Sequence, residues 1–333
     1  MTNVRAEILI VGQGLAGTML GWEFECAGIP FVISDAGHDS AVSRIAAGII
    51  NPITGRRLVK SWRIESLLPM ARERFRAIED AWDVALWRDM RIRRIFADEK
   101  QREVFRQKQQ AGELAPYIAV FDEQGFWIEG AARVDLAALL AAARNRWSAA
   151  GILREERIAW TSLSGRHDLV IDCSGQGSEE FRFIPWEFSK GEILSIAIGG
   201  LDPDVIFNDG HWVLPSGVGH ARVGATHEPG RTDSTPSESA RAILVASATR
   251  MLQRPFTVLG QQVGVRVNLP DRHPVAGRHS ENPRWGILNG LGAKGALLAP
   301  FLARQWVNHL TEGVPFDREV DPARFATRHW SQA

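Results

Sequence analysis

The stretch Ile8-Leu9-Ile10-Val11-Gly12-Gln13-Gly14-Leu15-Ala16-Gly17 constrains this chain more than any other segment, because an apolar, β-branched run passes directly into a Gly-x-Gly-x-x-Gly turn. A helix-prone stretch from Thr18 to Ala27 follows and stops at Gly28. Pro30 then leads into a second apolar run, Phe31-Val32-Ile33-Ser34, which ends on Asp35. Strand, glycine turn, helix and strand, with an acid roughly twenty positions beyond the glycines, form the pattern of a dinucleotide-binding unit. Gly12 allows the tight turn, Gly14 lets backbone approach a pyrophosphate, and Gly17 lets the helix lie close on the sheet. The amides from Gly14 through Leu15 and Ala16 to Gly17, aided by the helix dipole, attract phosphate oxygens. Asp35 is placed to accept hydrogen bonds from a ribose.

Composition sets outer limits. A chain of 333 residues can bury a core large enough for two domains. Lysine plus arginine equals aspartate plus glutamate at 39 each, so no global field draws in nucleic acid, although a local basic patch is compatible with that balance. The first strand begins a few residues after Met1, which leaves no room for a signal peptide ahead of it, and no apolar run reaches membrane-spanning length. The expectation is a cytoplasmic protein without a membrane span. The two cysteines, Cys26 and Cys173, form neither a disulfide framework nor a metal-ligand spacing, and Cys26 reads as a small core residue of the first helix.

Farther along, small residues surround Gly48 in Ser43-Arg44-Ile45-Ala46-Ala47-Gly48, as expected where backbone packs on a flat ligand or a phosphate. Apolar spacing predicts a helix over Ser66–Ile95, a solvated helical segment over Asp98–Gln110, a strand over Tyr117–Ile128 and a helix over Val134–Trp147. Further strands are expected at Ile152–Thr161 and at Leu169–Asp172, the latter ending in Cys173-Ser174-Gly175-Gln176-Gly177. The second half reads mostly as sheet: Gly191–Ile198, Gly210–Pro215, Ala221–Thr226, Gln261–Leu269, Val275–Arg278 and Trp285–Asn289, interrupted by a helix over Ser237–Leu252. The last strand runs into Gly290-Leu291-Gly292-Ala293-Lys294-Gly295 and a helix reaching about Leu310, a second glycine-rich strand-to-helix junction with free amides. Neither internal repeats nor low-complexity linkers occur, so the domains are expected to interleave.

In this order, the blocks resemble the D-amino acid oxidase-like family of FAD-dependent oxidoreductases, which includes glycine oxidase, sarcosine oxidase and the flavin domain of a bacterial tRNA-modifying enzyme. The blocks are the first glycine motif, Ser43–Gly48, the strand end Asp172–Gly177, and Gly264-Val265-Arg266 through Pro300, with Asp271-Arg272-His273-Pro274-Val275-Ala276-Gly277 as an Asp-x-x-Pro-x-x-Gly element. The resemblance covers nearly the whole chain and is weakest from about Asp98 to Ile128. It implies an α/β fold: a Rossmann-like FAD domain of the glutathione reductase type, interleaved with an α+β substrate domain on a mixed or antiparallel sheet. The expected FAD domain comprises residues 1–75, 130–178 and 260–333, and the substrate domain residues 76–129 and 179–259. With the first motif, Ser43, Arg44, Ala47, Gly48, Ser174, Gly175, Gly290, Gly292, Ala293, Lys294 and Gly295 are the implied FAD contacts. No cysteine lies near the C-terminal glycine turn, where some relatives attach their flavin, so the FAD is expected to be non-covalent.

The resemblance also implies catalytic positions. Arg266 matches the position that holds the substrate carboxylate in glycine oxidase-like relatives, a task suited to a guanidinium fork; the alternative is a structural arginine. Lys294 matches a basic position near the flavin, where a cation stabilises charge on the reduced ring; the alternative is an exposed turn lysine. His211 or Trp212 is placed to line the pocket, while a satisfied core or surface histidine is the competing reading for His211. In the family a tyrosine from the neighbouring sheet often pairs with the carboxylate arginine; the one tyrosine of this chain, Tyr117, lies in the region where the resemblance is weakest. In Asn51–Arg63, the cations Arg56, Arg57, Lys60 and Arg63 with Trp62 suggest either an anion-recognition loop or a solvated loop balanced by nearby acids. The twelve tryptophans read by default as core and interface packing.

The implied reaction is oxidation of the C–N bond of a small-molecule amine or amino acid to an imine, with oxygen or a quinone or carrier as electron acceptor. Two alternatives stand beside it, a tRNA wobble-uridine modifying oxidoreductase and a non-catalytic flavin-binding protein.

Overall fold

The computed structural model describes residues 7–37, 41–160, 163, 167–175 and 179–326. The N-terminal elements are β1 (Ile8–Val11), α1 (Leu15–Cys26), β2 (Phe31–Asp35), α2 (Val42–Ile45), β3 (Ile49–Ile50), β4 (Ile53–Thr54), β5 (Val59–Lys60) and α3 (Ile64–Trp82). They are followed by β6 (Trp87–Ile95), α4 (Glu99–Gln110), β7 (Ile118–Phe121), β8 (Gly125–Val134), α5 (Leu136–Ala149), β9 (Leu153–Glu155) and β10 (Leu169–Asp172). The remainder comprises β11 (Glu187–Ala197), β12 (Val205–Asn208), β13 (Trp212–Pro215), β14 (His220–Gly224), β15 (Glu228–Pro229), α6 (Glu238–Leu252), β16 (Thr257–Asn268), β17 (Val275–Arg278), β18 (Trp285–Asn289), α7 (Gly295–Glu312) and α8 (Ala323–Ala326).

Six strands form one sheet in the order β17-β18-β10-β1-β2-β9, parallel except for the β17–β18 pair. Alternation along β1 divides its two faces. Ile8 and Ile10 join a core with Met19 and Leu20 of α1, Trp147 of α5 and Trp306 of α7, whereas Leu9 and Val11 join Phe181, Ile184 and Phe325. Both faces are covered, which is why β1 reads as an unbroken apolar run. The second sheet is mixed: β15-β11-β14-β13-β12-β6-β8-β3, with β16 along β11 and β7 along β8. Its β12–β6 pair is parallel, and α6 covers Leu194, Ile196, Val213 and Val223 with Leu244, Ala248 and Met251. No helix of the described residues is long and apolar enough to cross a membrane.

Several local expectations are corrected. The helix expected to reach Ile95 ends at Trp82, where Asp83 turns left-handed with φ 51°, and Trp87–Ile95 is a strand whose exposure alternates with period two from Met90 onward. Tyr117–Ile128 is a hairpin rather than one strand: Asp122 Oδ1 accepts the amides of Gln124 and Gly125 at 2.8 and 2.9 Å and turns the chain there. The Ile152–Thr161 strand shortens to β9, and Thr161 itself lies outside the described residues, as do Gln176 and Gly177. Val134 ends β8, and Asp135 caps α5 by accepting the Ala138 amide at 3.1 Å. Cys26 is exposed, because the buried run of α1 stops at Phe24, two residues before the helix ends.

Candidate active site

At the C-terminal ends of β1, β2 and β10, the glycine turn meets the place where neighbouring strands leave in opposite directions, the usual crevice of an open parallel sheet. Gly12 has φ +98°, and a Cβ there would come 2.8 Å from the Cys173 carbonyl and 2.9 Å from Ser174 Cα. A Cβ on Gly17 would come 2.0 Å from the Gly12 carbonyl. Gly14 differs: its added Cβ would meet only Ser43 Oγ at 3.4 Å, so protein packing leaves the space beside it open. No side chain caps α1 at Gly14; the Leu15 amide donates to Ser43 Oγ at 3.1 Å. Among the described residues the amides of Gly14, Ala16 and Gly17 have no acceptor, the donor set a pyrophosphate requires.

Asp35 closes this end. Its Oδ2 accepts the Gln13 amide at 2.7 Å, and its Oδ1 accepts the Gly37 amide at 3.0 Å and Arg144 Nη1 at 3.1 Å. A carboxylate has about four acceptor positions, so among the described residues one remains on Oδ2. Arg144 also donates to Gln13 Oε1 at 3.1 Å and pairs with Glu155 at 2.8 Å. Sequence reasoning missed Arg144, because it lies in the alanine-rich α5, far along the chain from Asp35. Arg144→Met should free the Asp35 carboxylate and weaken FAD binding by about 1.5–3 kcal/mol, roughly 10- to 150-fold. FMN, which lacks the adenosine half, should bind the variant as it binds the parent. Equal weakening of both in a fluorescence titration would refute this local role.

One cleft brings together Leu15, Ser43, Ala47, Gly48, Arg266, Gly292, Ala293 and Gly295, with Trp212 and Gly191 among its other walls. Gly48 has φ +69°, and its added Cβ would come 1.9 Å from the Val134 carbonyl. The Arg266 guanidinium lies on Gly191, where an added Cβ would be 2.3 Å from both Nη atoms. Gly191 is thus a second residue that sequence reasoning missed. Arg266 Nη1 donates to the Thr226 carbonyl at 3.1 Å; among the described residues no carboxylate pairs with it, and burial lowers its pKa.

The other expected residues fall around this cleft. Ser174 and Gly175 follow β10 beside Gly12, Gly290 follows β18 with φ +71°, and Arg44 is exposed on α2. Lys294 is the N-cap residue of α7; burial lowers its pKa, and no described residue forms an ion pair with it. His211 is not among the cleft residues. Its Nδ1 lies 4.0 Å from Asp209, which also accepts from Ser247 at 2.8 Å and pairs with Arg250, while the adjacent Trp212 reaches the cleft. In the basic loop, Arg56 pairs with Asp98 at 2.6 Å, Lys60 with Glu65 at 2.7 Å, and Arg63 with Asp317 and Glu319, so three of its four cations are balanced. Asp271 accepts Arg324 Nε at 2.8 Å and so anchors the C-terminal segment rather than the cleft.

Residues 7–308 match the model of the DAO family, FAD dependent oxidoreductase. The chain belongs to this family. FAD is its cofactor, and the glycine cradle with its acceptor-free amides fits that group. Along its whole length the chain is 32% identical to the tRNA 5-methylaminomethyl-2-thiouridine biosynthesis bifunctional protein MnmC of Maricaulis maris (strain MCS10), of which the alignment covers 57%. It is 30% identical to glycine oxidase of Pseudomonas putida over 43% of this chain and 39% of that one. The chain thus spans less than two thirds of these curated relatives. Among solved structures, iminodiacetate oxidase from Chelativorans sp. BNC1 superposes with a TM-score of 0.77 at 19% identity, covering 95% of this chain and 99% of that one. Glycine oxidase from Geobacillus kaustophilus gives 0.75 at 20% identity, covering 97% and 99%. These two likenesses establish the DAO-type fold.

Proposed function

We propose that this family member oxidises the C–N bond of an amine bearing a carboxylate to an imine, which water hydrolyses to a carbonyl compound and an amine or ammonia. The observation that carries this reading is the desolvated Arg266 guanidinium in the cleft, without a carboxylate of the protein's own. A substrate carboxylate can take the bidentate position that no side chain fills. With that end fixed, the carbon–hydrogen bond next to nitrogen is held in one place, so orientation lowers the barrier. FAD supplies the chemistry of accepting a hydride from that carbon.

The protein's share is electrostatic and steric. Gly191 lets Arg266 lie flat, Trp212 walls the cleft, and among the described residues no Asp, Glu, His or Lys lines it. Hydride loss from the adjacent carbon requires the lone pair of an unprotonated substrate nitrogen, and the proton left on the iminium passes to water. Lys294, desolvated beside the cleft-lining Ala293 and Gly295, offers a cation to negative charge developing on the cofactor. Lys294→Met should lower the flavin reduction potential and slow the reductive half-reaction; a potential equal to the parent's removes Lys294 from this role.

A second reading is supported by the full-length similarity to MnmC. In it the same carboxylate-bearing amine is a carboxymethylamino group on a modified wobble uridine of tRNA. Anaerobic mixing with D-, L- and N-alkyl amino acids, and separately with RNA carrying that group, tests both. Bleaching by a free amino acid supports the first reading, and bleaching by the RNA alone, with binding that weakens steeply in salt, supports the second. No bleaching by either, with photoreduction intact, contradicts both.

A further inference from the structure

Arg222, on β14 opposite Ser195 and Leu214, directs its guanidinium at the loop that follows α2. Nη2 donates to the Ile45 carbonyl, and Nη1 donates to the Ala46 carbonyl at 3.4 Å. The side chain is largely desolvated, and burial first, then the Arg133 charge, lowers its pKa. Among the described residues it forms no ion pair. A cation removed from water, hydrogen-bonded to carbonyls and only offset at a distance by the Asp135 charge, costs stability, so its effect is to be sought in the loop it grips.

A trans peptide points its carbonyl and the next residue's N–H in opposite directions. With the Ile45 carbonyl turned to Arg222, the Ala46 amide points back and donates to the Val42 carbonyl at 3.0 Å. With the Ala46 carbonyl turned to the same guanidinium, the Ala47 amide points away from it, and Ala47 is one of the residues that line the cleft. That amide has no acceptor among the described residues.

We propose that Arg222 is a positioning residue: by gripping the Ile45 and Ala46 carbonyls it aims the Ala47 N–H into the cleft as a donor for bound FAD. A fixed donor there favours the form of the cofactor that carries more negative charge, the reduced one. Arg222 therefore raises the reduction potential without touching the cofactor.

Two variants separate this from simple structural support. Arg222→Met releases both carbonyls. Ala47→Pro deletes the N–H itself, and Ala46, at φ −59° and ψ 144°, already has the backbone that a residue before proline adopts. Each should weaken FAD binding by about tenfold and lower the flavin potential, measured by titrating apo-protein and by equilibration with a reference dye. The double variant should match either single one, because both remove the same donor. Arg222→Lys, which can hold one carbonyl, should restore part of the loss. If Arg222→Met lowers the melting temperature while affinity and potential stay at the parent's values, or if the two substitutions add, the proposal fails. Should Arg222→Met not fold, Ala47→Pro and Arg222→Lys decide it by the same two readouts.

Discussion

Arg266→Ala should raise the substrate's Michaelis constant by orders of magnitude while the protein remains yellow. Removing one partner of a buried, hydrogen-bonded charge pair costs about 2–5 kcal/mol, which is roughly 30- to 4,000-fold in kcat/KM. FAD should stay bound, because the glycine cradle around Gly12 and Gly17 lies on β1 and α1, apart from β16. Arg266→Lys keeps the charge but loses the fork, so it should recover only part of the rate. The neutral variant should also lose its preference for an amino acid over the corresponding amino amide. A Michaelis constant unchanged in Arg266→Ala would remove this arginine from the site, whatever the fold.

Gly17→Ala should yield protein without flavin. Its methyl would stand 2.0 Å from the Gly12 carbonyl and 3.3 Å from Ile10 Cγ2. A backbone oxygen cannot rotate aside as a side chain can, so α1 must move off β1, at about 1–3 kcal/mol or more, and the amides of Gly14 and Ala16 move with it. Gly14→Ala is the informative companion: its methyl meets only Ser43 Oγ at 3.4 Å, so the apo fold should keep its melting temperature. Its affinity for FAD should still fall, because the methyl occupies the ligand's approach. Parent-like FAD affinity in Gly17→Ala, measured by fluorescence quenching of apo-protein, would contradict the role given to this turn.

The glycine turn was legible in the sequence because its logic is local. Strand, turn and helix follow within a few residues, and Gly12 and Gly17 are required by contacts with their own neighbourhood. The Trp285–Asn289 strand and the turn after it were legible for the same reason. What could not be read was set by distant partners. Arg144 meets Asp35 across 109 positions, Arg222 meets Ile45 across 177, and Gly191 matters only because β16 lays Arg266 upon it. His211 and Trp212 are adjacent, so only one can share the inner face of a strand, and which one is decided by the pairing of β13 with β14 rather than by its composition. The arginine-rich β6 escaped because an apolar spacing continued from α3 hid its alternation, and its Asp89, Arg93 and Arg91 find Arg72, Asp122 and Trp127 only after the sheet forms. Likewise the basic loop looks like an anion site until folding brings Asp98, Asp317 and Glu319 to it.

The most direct measurement is anaerobic reduction of the purified flavoprotein by matched pairs of amines, N-methylglycine against N-methylglycinamide and glycine against its amide, followed in the visible flavin band. Faster bleaching by the carboxylate member of at least one pair, with the advantage abolished in Arg266→Ala, is the predicted result. Equal bleaching by acid and amide, or an advantage that survives the substitution, would contradict carboxylate-directed amine oxidation at this cleft.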